Sequence, residues 1–285
     1  MRRIELPYAK SLANRVMLLR ALRGESLPLA DSLWNDDMHA MLRVLKAPVG
    51  PDGVRRADAG PAGTAYRFGM AYWAAQPGAE VVLCGDARMR ERPITPLVEA
   101  LRRLGASFDA VPEGWRIQGV QWPLGEVEVD ARESSQFASA LVLVASVAAP
   151  NLNVVTSLGV SSPPYLAMSY QLAARAELGW PPERDWSAAF VFCAAVGLSR
   201  RSVLLSGLTL ESVQGDVVCG QWGAELGFAL SSTPEGIVAE PAVPLAGPWT
   251  VDFGAQPDLA MPAIISATLL GRGGTASGLH TLNAK

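Results

Sequence analysis

Five short stretches of this chain carry residues suited to gripping negatively charged small molecules. In the first, Pro7 ends a short strand and Ser11 is placed to cap a helix from Leu12 to Leu22. Lys10 then stands just ahead of the helix start, and Arg15 lies about one turn inside it. A helix N-terminus attracts anions through its unpaired N–H groups and its dipole, and flanking cations add point charge and a forked donor. The second stretch, Gly60-Pro61-Ala62-Gly63-Thr64-Ala65-Tyr66-Arg67, has the small residues that let backbone approach a ligand, with Thr64 as a cap and Arg67 a turn later. It lacks the spacing of a nucleotide P-loop. The third runs from Gly85 to Pro93 and holds Arg88, Arg90 and Arg92. Exposed, such a charge network contributes little; with one arginine turned into a cleft, it grips a carboxylate or phosphate bidentately.

The fourth stretch, Ser134-Ser135-Gln136, sets two hydroxyls and an amide at a helix start, and Ser161-Ser162 ahead of Tyr165 offers a second such set. In the fifth, Asp258 is placed as the cap of an apolar segment, where a partly buried carboxylate can take a proton from a hydroxyl. Taken singly, each stretch is as readily an ordinary cap, a tight turn or a solvated charge cluster.

The elements that must carry these residues follow from apolar spacing. Ile94, Leu97, Val98, Leu101 and Leu104 form a helical stripe closed by Gly105. Asn35-Asp36-Asp37 opens a helix with Met38, Met41, Leu42 and Leu45. Gln214-Gly215-Asp216 opens another that closes at Leu226-Gly227, and Tyr165 to Leu178 forms a looser copy. Short β-like runs lie between them at 81–83, 127–129, 154–155 and 203–205. Strands separated by amphipathic helices, recurring along the chain, predict repeated α/β modules. Pro181-Pro182-Glu183-Arg184 reads as the linker.

With 285 residues, 49% of them hydrophobic and 18% charged, the chain is expected to form two domains with ample cores. A net charge of -3 argues against nucleic acid as a partner. Cys84, Cys193 and Cys219 lack paired spacing, so no zinc cluster or disulfide framework is expected, and a reducing cytoplasm fits. His39 and His280 stand beside no nucleophile motif, which leaves serine-hydrolase chemistry unsupported. The longest apolar run, 137–150, is too short to span a bilayer, and no apolar signal core follows Arg2-Arg3. No membrane, no metal and a monomer are expected.

The order of the motifs is more specific than any one of them. Lys10-Ser11-x-x-Asn14-Arg15, Ala62-Gly63-Thr64-Ala65-x-Arg67, Gly85-Asp86-x-Arg88-Met89-x-x-Arg92-Pro93, Ser134-Ser135-Gln136 and Pro257-Asp258 follow one another. Asp185-Trp186-Ser187-Ala188-Ala189 and Gln214-Gly215-Asp216 lie among them. This run resembles the 5-enolpyruvylshikimate-3-phosphate synthases over essentially the whole chain. The resemblance implies a two-domain inside-out α/β barrel built from βαβαββ units. Residues 9–180 would form the shikimate-phosphate-side domain of about three units, and 1–8 plus 181–285 the second domain. It further implies that Ser11, Arg15, Ser134, Ser135, Gln136, Ser162 and Tyr165 hold shikimate 3-phosphate. Lys10, Gly63, Arg88 and Gln136 would contact phosphoenolpyruvate. Asp258 would take the proton from the attacking hydroxyl, Lys285 would sit near the proton-transfer centre, and no metal or organic cofactor would be needed.

The sequence departs from the family pattern in places. It ends at Lys285, where the family continues with a Glu-Ser/Thr-Asp-Arg run, so the last units of the barrel are expected to be missing. Leu178 to Asp185 is short by a hairpin. Pro163, Pro61 and Thr281 replace a common lysine and two asparagines. Two other readings share the motifs. One is a UDP-N-acetylglucosamine enolpyruvyl transferase, which the Gly85–Arg88 and Ser134–Gln136 sequences disfavour. The other is a non-catalytic anion-binding remnant.

Overall fold

The computed structural model describes residues 1–279 and 282. The chain divides into two compact units, Met1–Ala9 with Pro181–Lys285, and Lys10–Trp180. Strand β1 (Arg2–Glu5) belongs to the first unit, after which the chain builds the whole of the second.

The second unit opens with α1 (Lys10–Leu22) and α2 (Asp36–Leu45). Asn35 caps α2 by accepting the Met38 N–H at 3.1 Å, and Met38, Met41 and Leu45 face the core. Next come β2 (Arg55–Asp58), α3 (Gly63–Ala74), β3 (Glu80–Cys84), α4 (Ala87–Glu91), α5 (Thr95–Arg103), β4 (Ser107–Val111) and β5 (Gly114–Gln118). β2 and β3 are parallel, β5 runs antiparallel to β3, and the sheet order is β2-β3-β5-β4. This is one complete βαβαββ module. β6 (Gly125–Ala131), α6 (Ser135–Ala148), β7 (Leu152–Val160) and α7 (Pro163–Ala173) follow, with β6 and β7 parallel. Of the three modules expected across 9–180, the structure shows this complete one, a βαβα piece without its hairpin, and the α1–α2 pair. Helix α6 is largely apolar, with Phe137, Leu141, Leu143 and Val144 fully buried, because α1, α3 and α7 pack around it.

Back in the first unit the chain forms α8 (Trp186–Ser199), β8 (Val203–Ser206), a 3₁₀ helix (Gly215–Trp222), α9 (Gly223–Leu226), β9 (Phe228–Thr233) and β10 (Gly236–Pro241). β1 pairs parallel to β8, giving the order β1-β8-β10-β9. Order and polarity repeat those of β2-β3-β5-β4, so the first unit holds a second βαβαββ module whose first strand comes from the chain's N-terminal residues. β11 (Trp249–Asp252), a 3₁₀ turn (Pro257–Leu259), α10 (Ala260–Leu269) and β12 (Gly274–Ser277) add a parallel pair. Trp186, Phe190, Phe228 and Phe253 form the buried centre of this unit.

Both hairpins use the same device. Pro112-Glu113-Gly114 joins β4 to β5 and Pro234-Glu235-Gly236 joins β9 to β10. Gly114 has φ +155° and Gly236 +145°, and a Cβ would lie 2.1 Å from the Leu83 carbonyl oxygen in one and 2.2 Å from that of Leu205 in the other. Only glycine fits there.

Several element boundaries differ from the sequence reading. Helix α1 begins at Lys10, so Ser11 lies in its first turn instead of capping it. Helix α3 begins at Gly63 behind an Ala62 that offers no side-chain cap, so Thr64 is also inside the helix. There the preceding turn replaces a cap: Asp58 Oδ1 accepts the Gly60 N–H at 2.8 Å, and Gly60 has φ +52°. Helix α7 stops at Ala173, short of Leu178. Asp258 is an exposed residue of the 3₁₀ turn, not the cap of α10, since the chain tightens behind Pro257 with Leu259 N–H donating to Gln256. The expected linker is also fixed in place. Ala9 N–H donates to Glu183, Asp185 N–H donates to Pro7, and Arg184 stacks 4.9 Å from the Tyr8 ring centroid. Among the described residues, no helix is long and apolar enough to cross a membrane.

Candidate functional site

Three helix-start segments of the second unit come together around Gly63. Ser134 caps α6, its hydroxyl oxygen accepting the Gln136 N–H at 3.3 Å, which presents Ser135 and Gln136 at the helix's first turn. The Gln136 carboxamide reaches across to α3. Its Oε1 accepts from Arg67 Nη1 at 2.8 Å and its Nε2 donates to Thr64 Oγ1 at 3.2 Å. These two bonds fix which way the amide faces. Arg67 is 7% exposed, donates from Nη2 to the Pro93 carbonyl and lies over Phe137, with Cζ 5.4 Å from the ring centroid.

The Gly85–Pro93 loop supplies the third segment. Asp86 caps α4 through the Met89 N–H at 2.7 Å, and its own N–H donates to Gly60, tying the loop to the turn before α3. Met89 is buried, and a Cβ on Gly85 would lie 2.8 Å from Met89 Cγ and 3.2 Å from Tyr66 Cε2. With Met89 anchored, Arg92 swings back to α3. A methyl on Gly63 would lie 2.9 Å from both Arg67 Nη1 and Arg92 Nη1. Burial first, and then the Arg92 charge, pull the Arg67 guanidinium down to about 10. Arg88 is exposed on the same short helix, and Arg90 donates instead to the Pro112 carbonyl at 2.7 Å.

A second knot lies one turn along α6. Arg15 is 2% exposed and makes four hydrogen bonds: Nε to Ser169 Oγ at 2.8 Å, Nη1 to the Ser11 carbonyl at 2.6 Å, and Nη2 to Ser139 Oγ at 3.3 Å and the Tyr165 carbonyl at 2.9 Å. It also lies 5.4 Å from the Phe68 ring centroid. Burial lowers this guanidinium to about 10. Of its five donors one N–H is left over, so Arg15 mainly clamps α1, α6 and α7 and thereby places Ser11 and Tyr165. Ser162, ahead of α7, is buried and holds a left-handed φ of +51°, a conformation that costs a non-glycine residue about 1 kcal/mol or more. Lys10 is exposed, its Nζ 3.2 Å from Asp37 Oδ2. An ion pair this exposed contributes at most about 1 kcal/mol and does not hold the amine against a stronger anion.

The structure therefore gathers Gly63 with Gln136 beside Ser134 and Ser135, and Arg15 with Ser11 and Tyr165, within one unit. Asp258 belongs to the other unit, and Lys285, Thr281 and His280 lie outside the described residues. Arg67 and Arg92 stood in the motifs without an assigned contact, and Ser139 and Ser169 were missed. The serines lie four residues beyond Ser135 and Tyr165, a helical spacing that marks the same face. A cavity of about 410 Å³ opens nearby between Asp36, Asp37, His39, Arg43, Pro61 and Ala62. Two carboxylates against one guanidinium make it a poor receptor for a polyanion. Among the described residues, no group of three His, Cys, Asp or Glu side chains is placed to hold a metal.

The family described as EPSP synthase (3-phosphoshikimate 1-carboxyvinyltransferase) matches residues 51–179. The 3-phosphoshikimate 1-carboxyvinyltransferase of Bacteroides fragilis is 32% identical over 99% of this chain and 73% of its own length. That of Shewanella sediminis is 30% identical over 95% and 74%. Among solved structures, EPSP synthase from Acinetobacter baumannii superimposes with a TM-score of 0.53 at 15% identity, covering 99% of this chain and 92% of that one, a likeness of fold. With nearly all of its length aligned to transferases at this level of identity, the chain belongs to the 3-phosphoshikimate 1-carboxyvinyltransferase family.

Proposed function

We propose that this chain carries out the family's reaction, moving the carboxyvinyl group of phosphoenolpyruvate onto the 5-hydroxyl of shikimate 3-phosphate. The hydroxyl oxygen bonds to C2 of the enol phosphate while the methylene gains a proton, giving a tetrahedral phosphoketal. The C2–phosphate bond then breaks, a methyl proton leaves, and the double bond re-forms. Both substrates are polyanions whose charges repel, so the main task is to hold them together. Charge-assisted hydrogen bonds contribute about 1.5–3 kcal/mol each, and three or four offset that repulsion.

In this reading Lys10, Gly63, Arg88 and Gln136 receive phosphoenolpyruvate. Ser11, Ser134, Ser135, Gln136, Ser162 and Tyr165 receive shikimate 3-phosphate. Arg15 contributes its remaining N–H and the placement of Ser11 and Tyr165. Asp258 takes the hydroxyl proton, and Lys285 serves the proton transfer. The observation that supports this most is the Gln136 amide, locked between Arg67 at 2.8 Å and Thr64 at 3.2 Å where α3 and α6 both begin. The test is phosphate release by the purified chain supplied with both substrates, alongside calorimetric binding of shikimate 3-phosphate. One phosphate per carboxyvinyl product is expected. Binding without release would make the chain a non-catalytic anion receptor, and a folded chain that binds no shikimate 3-phosphate would overturn both readings.

A further inference from the structure

Strand β7 borders a two-stranded sheet, and its outer edge is bare. Among the described residues it pairs with β6 alone, 152–156 lying in regular parallel register against 125–129. The equivalent strands of the two complete modules are not left so. β3 takes β5, and β8 takes β10, as an antiparallel neighbour on the edge away from its parallel partner. No hairpin does this for β7, because the chain passes from α7 to α8 without another strand.

The consequence shows in burial. Val127 and Val129 of β6 face the core and are buried, yet Val154 and Thr156, their register partners on the same face of β7, stay half-exposed. In β3 the core-facing Val81 and Leu83 are wholly buried, because β5 and β4 extend the sheet past them. β7 also lacks what edge strands use against pairing: Leu152–Val160 contains no charged residue and no proline. Beyond Thr156 the register with β6 shifts, which confines the regular part of the edge to 152–156. An edge of this kind pairs with another strand, and its own copy matches it in length and composition. A two-fold axis through the edge sets a strand antiparallel to its copy, the polarity that β5 and β10 already use. Centred on Val154, the pairing puts Val154 opposite itself and Leu152 opposite Thr156. It completes a four-stranded order β6-β7-β7-β6, and Glu126 and Glu128 stay one strand away from the axis, so no carboxylates meet across it.

We propose that the bare edge of β7 joins a second copy of this chain, 152–156 pairing antiparallel with itself about a two-fold axis, to form a dimer in place of the monomer expected from the sequence. The transfer reaction does not depend on it.

The experiment is sedimentation velocity of the full chain over a range of concentrations, with hydrogen exchange on the same samples. The parent shows a monomer–dimer equilibrium, and alternate amides within 152–156 exchange at least about 10-fold more slowly as the dimer fills. Val154→Lys sets two ammonium groups directly opposite one another in the dimer, while in the monomer the half-exposed position lets the amine reach water. It raises the dimer dissociation constant at least about 10-fold, and Val154→Thr, which keeps a β-branched side chain, changes it by less than about threefold. A parent chain that stays monomeric up to about 1 mM overturns the proposal. So does a dimer that Val154→Lys, folded by circular dichroism, leaves intact, since the interface then lies elsewhere. Amides of 152–156 that exchange equally slowly in monomer and dimer overturn it too, and this comparison on the parent decides alone where the lysine variant fails to fold.

Discussion

Two buried guanidiniums of the second unit are satisfied in different ways. Arg15 spends four hydrogen bonds on neutral oxygens of α1, α6 and α7, whereas Arg67 leaves Nε without a partner and faces Arg92. In both, burial is the main cause of a value near 10, below the ordinary 12.5. The folded value lies below the unfolded one, so carrying the charge costs stability below about pH 10, and the cost fades as pH rises toward the ordinary value. Arg15 offsets this through its four bonds, Arg67 through the two it makes to Gln136 Oε1 and the Pro93 carbonyl. Arg15→Met should therefore destabilise the chain by about 3 kcal/mol, since the hydroxyls of Ser139 and Ser169 and the carbonyls of Ser11 and Tyr165 lose their donor. Urea unfolding measures it, and a change below about 0.5 kcal/mol would refute the clamp. Residue types and order alone pointed to Gly63, Gln136 and the Ser134 cap. They could not place Arg92 against Arg67, because that closeness arises only once β3 lies beside β2 and carries its following loop back to α3.

At the scale of elements, helix starts in this fold are shaped as much by the turn before them as by the residue at the cap. Ser11 and Thr64 looked like caps by type, yet each falls inside its helix because the strand-exit turn has already bent the chain. Asn35, Asp86, Ser134 and Asp185 do cap, each accepting an N–H two or three residues on. The two βαβαββ modules were legible in part from Val81-Val82-Leu83 and Val203-Leu204-Leu205. A stronger signal stood unread: Gly85 and Gly207, Gly105 and Gly227, and the two Pro-Glu-Gly turns all repeat at one constant offset. Since Gly114 and Gly236 occupy equivalent close approaches, alanine at either should cost about 3 kcal/mol or more, through backbone strain and displaced carbonyls. Denaturant midpoints for the two single variants check this, and tolerance of either alanine would break the equivalence of the modules.

The whole chain is organised as one unit inserted into another. β1 and Leu6 complete a sheet and core whose other members begin past residue 180. Such a non-local pairing leaves no local mark on sequence, because β1 reads as any short strand until β8 is found beside it. Leu6 is fully buried, so Leu6→Ala should cost about 2–5 kcal/mol. The loss should fall on its own unit: hydrogen exchange should quicken in α8 and β8 and stay unchanged in α6. Equal acceleration in α6 would show that the units unfold together. The most direct measurement of the central claim is an amide chemical-shift titration of the labelled chain with shikimate 3-phosphate and then phosphoenolpyruvate. The first ligand should move Ser134, Ser135 and Gln136, and the second should move Gly63, Thr64 and Gln136 furthest. Saturating shifts that leave all of these amides in place would contradict an anion site at the starts of α3 and α6.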